Sequence, residues 1–536
     1  MRVLIVGAGP SGLMMALCLK EYGVHATIID KKSSITMDSK AIGMQARTLE
    51  VFKDLGLAHD FVESGTLMSK MYFYKGSKLL GLASFSWLDT AFAFILGISQ
   101  ATTESKLEQA LAAKGVHVKW NTTLEQLQEM EDKVFVTLNK DGAISSELFD
   151  YVIGCDGIHS KVREEIGISF KGMKEPENFA IADVEMAQEL NKKGILAFIA
   201  EDDSGLVLLF PLQAHRTRIV INRCLLPQGE KPSLSYLQDI IEQRTQLKVH
   251  LKNLYWSSVF NIQYKKASQF SKGNCFLVGD AAHVHSPVGA QGMNTGLQDA
   301  YNLAWKLAMV MKKQASSQLL QTYHEERHQN AVELLRMTKM MSHLTLARSK
   351  IICKLRPLIL KMLLQKRSFN RWITRKISQL GNHYRKSSLS RASGGFSFGS
   401  KSKKIALQAG DRLLDSTINP NQKASSLLDW VQGPHFSILI YTTHIKSSEK
   451  QIRQLDFLLN AKYPEIALFV ITMQNEPCEL ADFSGKIATC ASAVFEKYCQ
   501  GLYTLYVLRP DKYVGYIQQR YHQKSLENYL DGILNT

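Results

Sequence analysis

The 536 residues include 65 Lys and Arg against 49 Asp and Glu, a formal charge of +16, with 45% hydrophobic and 21% charged residues. That length exceeds what one core grows to, so two or three domains are expected, and the balance excludes a disordered chain. No run of about eighteen uncharged apolar residues is present, which excludes a membrane-spanning helix. The positive charge admits anionic partners, but neither zinc-finger spacing nor an aromatic and basic RNA-binding signature accompanies it, so nucleic acid is set aside. Eight scattered cysteines (18, 155, 224, 275, 353, 478, 490 and 499) without C-x-x-C spacing argue against a disulfide frame or zinc site and fit a reducing cytoplasm.

Residues 2–30 read as strand, glycine turn, helix, strand, a βαβ nucleotide-binding unit. The apolar start leads straight into the glycine turn, with no basic region or cleavage site of a secretory leader. Strands are expected at 71–98, at 132–153 around an Asp141-Gly142 hairpin turn, and at 179–223. After Gly296 the pattern becomes helical to about residue 380, with Leu297, Ala300, Tyr301, Ala304, Leu307 and Ala308 on one face. Residues 381–404, rich in Ser, Gly, Lys and Arg, have linker composition. From about 405 onward, strands at 436–441, 466–473, 503–508 and 513–517 alternate with helices in a small α/β unit.

Gly7-x-Gly9-x-x-Gly12 lies between a strand and a helix, and Asp30 ends the next strand eighteen residues later. Gly7 permits a tight turn, Gly9 close approach to a pyrophosphate, and Gly12 close helix packing. The helix start contributes N–H groups and positive dipole, and Asp30 suits ribose hydroxyls. A ligand-free turn is the bland alternative. Because the fingerprint serves either NAD or FAD, the choice of cofactor depends on motifs farther along the chain.

Two later stretches decide it. Tyr151-Val-Ile-Gly-Cys-Asp156-Gly157-Ile-His-Ser160-Lys-Val-Arg163 and the run from Cys275 through Gly279-Asp280, Pro287, Gly289, Gly292, Asn294 and Gly296 to Asp299 resemble the second and third signatures of the aromatic-ring (class A) FAD-dependent monooxygenases. Ser39 to Glu50 resembles that family's first substrate-side helix, and Ile98 to Glu104 its adenosine-side segment. The carboxy-terminal unit resembles the thioredoxin-like appendage of the phenol, hydroxyphenylpropionate and polyketide hydroxylase branch.

The resemblance implies an α/β fold: a Rossmann-like FAD-binding domain interleaved with a mixed-sheet substrate domain, a helical segment, and a thioredoxin-like domain lacking C-x-x-C. The implied division is 1–70, 99–178 and 266–345 for FAD, 71–98 and 179–265 for substrate, 346–404 for the basic helices and linker, and 405–536 for the appendage. FAD is the implied cofactor, with NAD(P)H a transient cosubstrate. O2 would react through a flavin C4a-hydroperoxide to hydroxylate an aromatic, phenolic small molecule. Polycyclic, polyketide or tetracycline-like substrates, and a non-catalytic flavin-binding module, are the alternatives. Cofactor-binding positions carried over are Gly7, Gly9, Pro10, Ser11, Gly12, Asp30, Lys31, Arg47, Gln100, Asp156, Gly157, Gly279, Asp280, Pro287, Gly289, Gly292, Met293 and Asn294. Pro287 would also mark the edge between flavin and substrate; no side chain is assigned as catalytic base, and a homodimer is implied.

Several positions carry competing readings. Arg163 would pair with a phosphate or brace Asp156, and Arg47 would contact flavin or form a helix-surface salt bridge. The His283-x-His285 pair lacks a third ligand at matching spacing, so no metal is expected, and Cys155 suits packing. Lys40 and Lys265 stand where relatives usually have arginine, losing a planar fork, and Ile42 stands where phenol hydroxylases carry an aspartate. Within the basic stretch 348–376, Leu355, Leu358, Ile359, Met362 and Leu363 form an apolar stripe that Pro357 interrupts. The favoured reading packs that stripe against the body; the other lays it on an anionic membrane surface.

Overall fold

In this computed structural model, residues 1–35, 41–186, 194–199, 205–213, 215–285, 289–345, 350–393, 407–419, 425–473, 480–499 and 502–535 are described. Val3–Val6 is apolar at every position because it is buried on both faces of a parallel sheet. Ala26–Ile29 flanks it on one side and Tyr151–Gly154 on the other, and Cys275–Leu277 extends the sheet beyond the latter. Three distant stretches of sequence thus end side by side, placing three of the expected site motifs at one sheet margin. Asp141-Gly142 forms the expected turn between antiparallel Val134–Lys140 and Ala143–Phe149, with positive φ at both residues.

A second, eight-stranded sheet runs in the order His283–Val284, Leu251–Ala267, Phe170–Met186, Arg216–Cys224, Leu206–Pro211, Gly194–Ile199, Lys70–Lys75, Lys78–Ser84. Alternation explains its inner strands. Ile195, Ala197 and Ile199, with Leu206, Leu208 and Phe210, enter one apolar layer; Leu196 and Phe198, with Val207 and Leu209, enter the other. Helix Leu234–Thr245 covers the second layer through Leu237, Ile240 and Ile241. The first layer, containing Ile42, Met71, Phe85 and Phe210, is closed by Leu364 and Ile377 from helices Lys350–Gln365 and Arg367–Ile377.

Helix Gly292–Met311 departs from the one-sided expectation, since every residue from Asn294 to Val310 is buried. Its polar positions are internal: Asp299 meets Arg327, and Lys306 meets Glu326. The stripe reading for 348–376 also needs correction. Leu355, Leu358, Ile359 and Met362 are 47–57% exposed, while Cys353, Pro357 and Leu364, on the opposite side of the helix, face inward. The helix continues through Pro357.

The described part of the Ser-rich stretch is packed: Tyr384 is buried, Ser387 donates to Glu326 at 2.7 Å, and Arg391–Ser393 pairs in parallel with Val514–Gln518. That strand edges the carboxy-terminal mixed sheet, whose middle strand Ser437–Thr442 lies between Ala467–Met473 and Tyr503–Leu508. Lys40 lies outside the described residues, and no described helix is long and apolar enough to cross a membrane.

Candidate active site

The first glycine loop is built by close approach. A Cβ on Gly7 (φ +102°) would lie 2.5 Å from the Cys155 carbonyl oxygen, and one on Gly12 would lie 1.8 Å from the Gly7 oxygen. A Cβ on Gly9 would meet nothing within 4 Å. Open space therefore faces the start of helix Pro10–Glu21, whose cap residue Gly9 supplies no side-chain acceptor to its first N–H groups. Asp30 is anchored beside the loop, accepting from the Ala8 N–H at 2.7 Å and the Lys32 N–H at 2.9 Å. Lys31 is exposed.

Asp156 follows Tyr151–Gly154 and touches this loop from the other side: its Cα would be 2.9 Å from a Gly7 Cβ. Its Oδ2 accepts from the Val162 N–H at 3.1 Å, whereas Oδ1 is buried with no protein partner. Burial pushes this carboxyl above the ordinary carboxylate range. A raised acid favours its protonated form in the folded state, so the protein without ligand is stabilised as pH falls from that raised value toward the ordinary one. Asp156→Asn is accordingly expected to leave unliganded stability unchanged or slightly higher while weakening cofactor retention; thermal melts with and without added cofactor check this. Gly157 (φ +80°) also faces open space. Arg163 donates to the Ala281 and Ile158 carbonyls, both at 2.8 Å, and lies 3.9 Å above Phe170. It ties the second motif to the third, and the Asp156 carboxylate acts on it through charge without a hydrogen bond.

The third motif meets the first at Ser11. Cβ atoms on Gly279 (φ +63°) and Gly296 would lie 2.5 and 2.3 Å from Ser11 Oγ, and the left-handed backbone favours glycine at position 279. Asp280 is exposed on the 3-10 turn Gly279–Ala281. Beneath the turn, fully buried Asp299 accepts from the Gly279 N–H at 3.2 Å and Arg327 Nε at 2.6 Å, with His283 Nε2 at 2.8 Å. Burial opposes its charge, but Arg327 and His283 outweigh that and hold the carboxyl below its ordinary value. Arg327 also donates to the Tyr384 hydroxyl and the Thr295 carbonyl. His283 is thus engaged with Asp299, and no group of three or more His, Cys, Asp or Glu suited to a metal gathers among the described residues.

Beyond Ser11 the loop before helix Gly292–Met311 is pinned to strand Ile42–Met44. The Gln45 N–H donates to Asn294 Oδ1 at 2.8 Å, Gln45 Nε2 donates to the Gly289 carbonyl at 2.9 Å, and Asn294 Nδ2 donates to the Gly43 carbonyl at 2.9 Å. Gly43 (φ +94°) and Ala290 approach so closely that a Cβ on the glycine would lie 3.2 Å from that of Ala290. The strand is held from behind at the Ala41 carbonyl, which accepts from the Gln100 N–H at 3.2 Å and Arg218 Nη1 at 3.0 Å. Arg218 is itself fixed by both oxygens of Asp183. Met293 is half-buried, and Pro287 lies outside the described residues.

Arg47 is not on the helix surface. It is 2% exposed, pairs with Glu50 at 3.0 Å, donates to the Asp511 carbonyl at 3.0 Å and lies 4.9 Å from the Tyr513 ring centroid. Glu50 also takes Arg412 at 2.8 Å, so the salt bridge competing with flavin contact is an interior tie to the carboxy-terminal unit. Gln45, Asp183, Arg218, Asp299 and Arg327 carry the supporting contacts without having been assigned sites. Only Gln45 and Asp299 stood inside quoted motifs, and position within a motif was the available signal.

An orphaned Asp156 oxygen, open space above Gly9, an uncapped helix start and a glycine-lined loop with positive φ fit a dinucleotide cofactor bearing hydroxyls, a pyrophosphate and a flat ring. Residues 1–338 match the family model described as FAD binding domain. The chain is 33% identical over 401 residues to 6-methylpretetramide 4-monooxygenase of Streptomyces rimosus, covering 73% of this chain and 72% of that one. It is 34% identical over 357 residues to pentachlorophenol 4-monooxygenase of Sphingobium chlorophenolicum, covering 65% of each. Among solved structures, the flavin-dependent monooxygenase PieE in complex with FAD and substrate aligns with TM-score 0.79 at 18% identity over 99% of both chains, which shows the fold. The OxyS anhydrotetracycline hydroxylase from Streptomyces rimosus aligns over 100% of both at TM-score 0.74 and 23% identity. The chain therefore belongs to the FAD-binding-domain family of class A flavoprotein monooxygenases, and is an FAD-dependent enzyme of aromatic hydroxylation.

Proposed function

We propose that this enzyme hydroxylates an electron-rich, phenolic ring of an apolar polycyclic compound, using NAD(P)H and O2. What supports the substrate class is the chemistry around Ile42, where Met71, Phe85, Leu208 and Phe210 form a packed apolar layer that contains no acid. Its nearby charge, Arg218, is already satisfied by Asp183, which disfavours a substrate that must be held by its carboxylate. Ile42 in place of an acid fits a fused phenol better than a simple one. The named activities of the 6-methylpretetramide and pentachlorophenol relatives bracket this class.

Bound FAD would supply the redox chemistry, carrying two electrons from NAD(P)H to O2 so that one oxygen atom enters the aromatic ring and the other leaves as water. In this reading the 1–70, 99–178 and 266–345 segments hold the cofactor, the 71–98 and 179–265 segments hold the substrate, and the 405–536 unit is a thioredoxin-like appendage. The N–H groups at the start of Pro10–Glu21 would receive the pyrophosphate, while Asp30, Asp156 and Asp280 would accept hydrogen bonds from the cofactor's hydroxyls. The N–H groups at the start of helix Gly292–Met311 would stabilise negative charge on the flavin ring. Gln100 and Arg218 support the strand facing that ring, and Arg47 ties the helix that follows it to the carboxy-terminal unit. The apolar layer excludes water from the reacting centre. The enzyme works in the cytoplasm as a homodimer, with 348–376 meeting a membrane surface.

The test measures NAD(P)H oxidation by flavin-loaded protein against simple phenols, phenylpropionates and polycyclic phenols, with product masses. Acceleration and one added oxygen confined to polycyclic phenols is expected. Turnover of simple phenols alone would overturn the substrate class, and flavin that NAD(P)H never reduces would overturn the catalytic reading.

A further inference from the structure

The positive charge is concentrated in one stretch. Residues 334–410 contain eighteen Lys and Arg and no Asp or Glu, which exceeds the net +16 of the whole chain. The middle of this stretch folds as helices Lys350–Gln365 and Arg367–Ile377. Their inner side is rigidly attached to the edge strand Lys78–Ser84. Asn370 Nδ2 donates to the Leu82 carbonyl at 2.8 Å, the Ser84 N–H donates to Asn370 Oδ1 at 3.0 Å, and a Cβ on Gly81 would lie 3.1 Å from Leu364 Cβ.

Their outer side is apolar where an ordinary surface helix is polar. Leu355, Leu358, Ile359 and Met362 recur at spacings of three and four and are each about half exposed. Trp372 and Trp87 stand at 45% and 43% exposure, the latter beneath the Arg367 guanidinium at 4.7 Å. Lys354, Lys361 and Arg371 are exposed around the stripe.

We infer that this face docks on an anionic lipid bilayer. Aliphatic side chains enter the boundary between headgroups and acyl chains, tryptophans settle at headgroup depth, and flanking Lys and Arg meet lipid phosphates. Charge complementarity selects this occupant. A second copy of the face would set like charges together, and a polyanionic nucleic acid offers no apolar phase for four aliphatic side chains. The proposal deepens the membrane-surface reading given under the proposed function. It rests on the hydroxylase reading for one consequence: the inner side of these helices packs on the apolar layer beside Ile42, so docking sets the substrate sheet close to aromatics dissolved in lipid.

The experiment is flotation of the full, FAD-loaded chain with vesicles of phosphatidylcholine alone and of equal parts phosphatidylcholine and phosphatidylglycerol, without substrate. Binding at least about tenfold stronger to the anionic vesicles, weakened by salt, is expected. Ile359→Glu with Met362→Glu, and separately Lys354→Glu with Lys361→Glu, should abolish it with the melting temperature and NAD(P)H oxidation unchanged. Absent binding, equal binding to both vesicles, or binding insensitive to both variants overturns the proposal. Conversion of a dimer to a monomer by the variants, or displacement of vesicles by duplex DNA, overturns it in favour of another partner. Because flotation needs no turnover, its failure is distinct from failure of the hydroxylase reading.

Discussion

Asp299→Ala is expected to destabilise the protein by about 3–5 kcal/mol, the usual result of breaking a buried ion pair from one side. The variant leaves the Arg327 guanidinium without its carboxylate, although both side chains are fully buried. It also removes the acceptor of the Gly279 N–H and the partner of His283. The damage should reach the cofactor, because Gly279 is where the third motif closes on Ser11. Denaturant midpoints and flavin content after gel filtration measure both effects. Asp299→Asn, which keeps the shape and one acceptor, should lose less. The same carboxyl has a pH signature. Its pKa is depressed in the fold, so its contribution is present above the ordinary carboxylate value and disappears as pH falls through the folded value. The Ala variant should therefore lose the wild-type stability difference in acid; an acid-independent difference would show that Asp299 acts through packing alone.

Gly12→Ala and Gly9→Ala should fail in different ways. At Gly12 the added methyl must displace backbone, since the Gly7 oxygen would be 1.8 Å away, and helix Pro10–Glu21 must move off its sheet. Overpacking of this kind costs about 1–3 kcal/mol, and flavin should be lost along with stability. At Gly9 the methyl enters open space. The Gly9→Ala protein should therefore melt like wild type yet bind FAD at least about tenfold more weakly, because the methyl occupies the approach used by the pyrophosphate. Melts of the cofactor-free proteins and FAD titration separate the two cases. Unimpaired FAD affinity in Gly9→Ala would show that the pyrophosphate does not pass over this loop.

Those two predictions also mark what was legible in the sequence. The glycine loop could be read because its logic is local: strand, three glycines and helix lie within about twenty residues, and each has a steric reason. Asp141-Gly142 was legible for the same reason. Strand Thr122–Glu129, which completes that small sheet, was not: a bulge between Leu124 and Gln126 shifts its buried positions from Leu124 to Leu127 and breaks the alternation. Asp299 and Arg327 could not be paired from sequence, since one belongs to a helix that reads as amphipathic and the other to the next helix. The Arg218–Asp183 tie joins neighbouring strands that the sequence indicates only as extended. In helix Lys350–Gln365 the better apolar stripe faces solvent, and periodicity has no means of telling which side of a doubly apolar helix meets the body.

The interleaving of the parallel sheet governs how the chain can be made. Val3–Val6 emerges first, but Tyr151–Gly154 must arrive before its second edge is paired, and Cys275–Leu277 must arrive before the sheet is extended beyond that strand. Until then the nascent protein carries an apolar strand with open backbone hydrogen-bonding groups, a condition that favours slow folding and association with other chains. A fragment ending before Cys275 should aggregate even though it contains the entire first glycine loop. The nucleotide-binding fold, complete in appearance after thirty residues of sequence, becomes a stable object only when more than half of the protein exists.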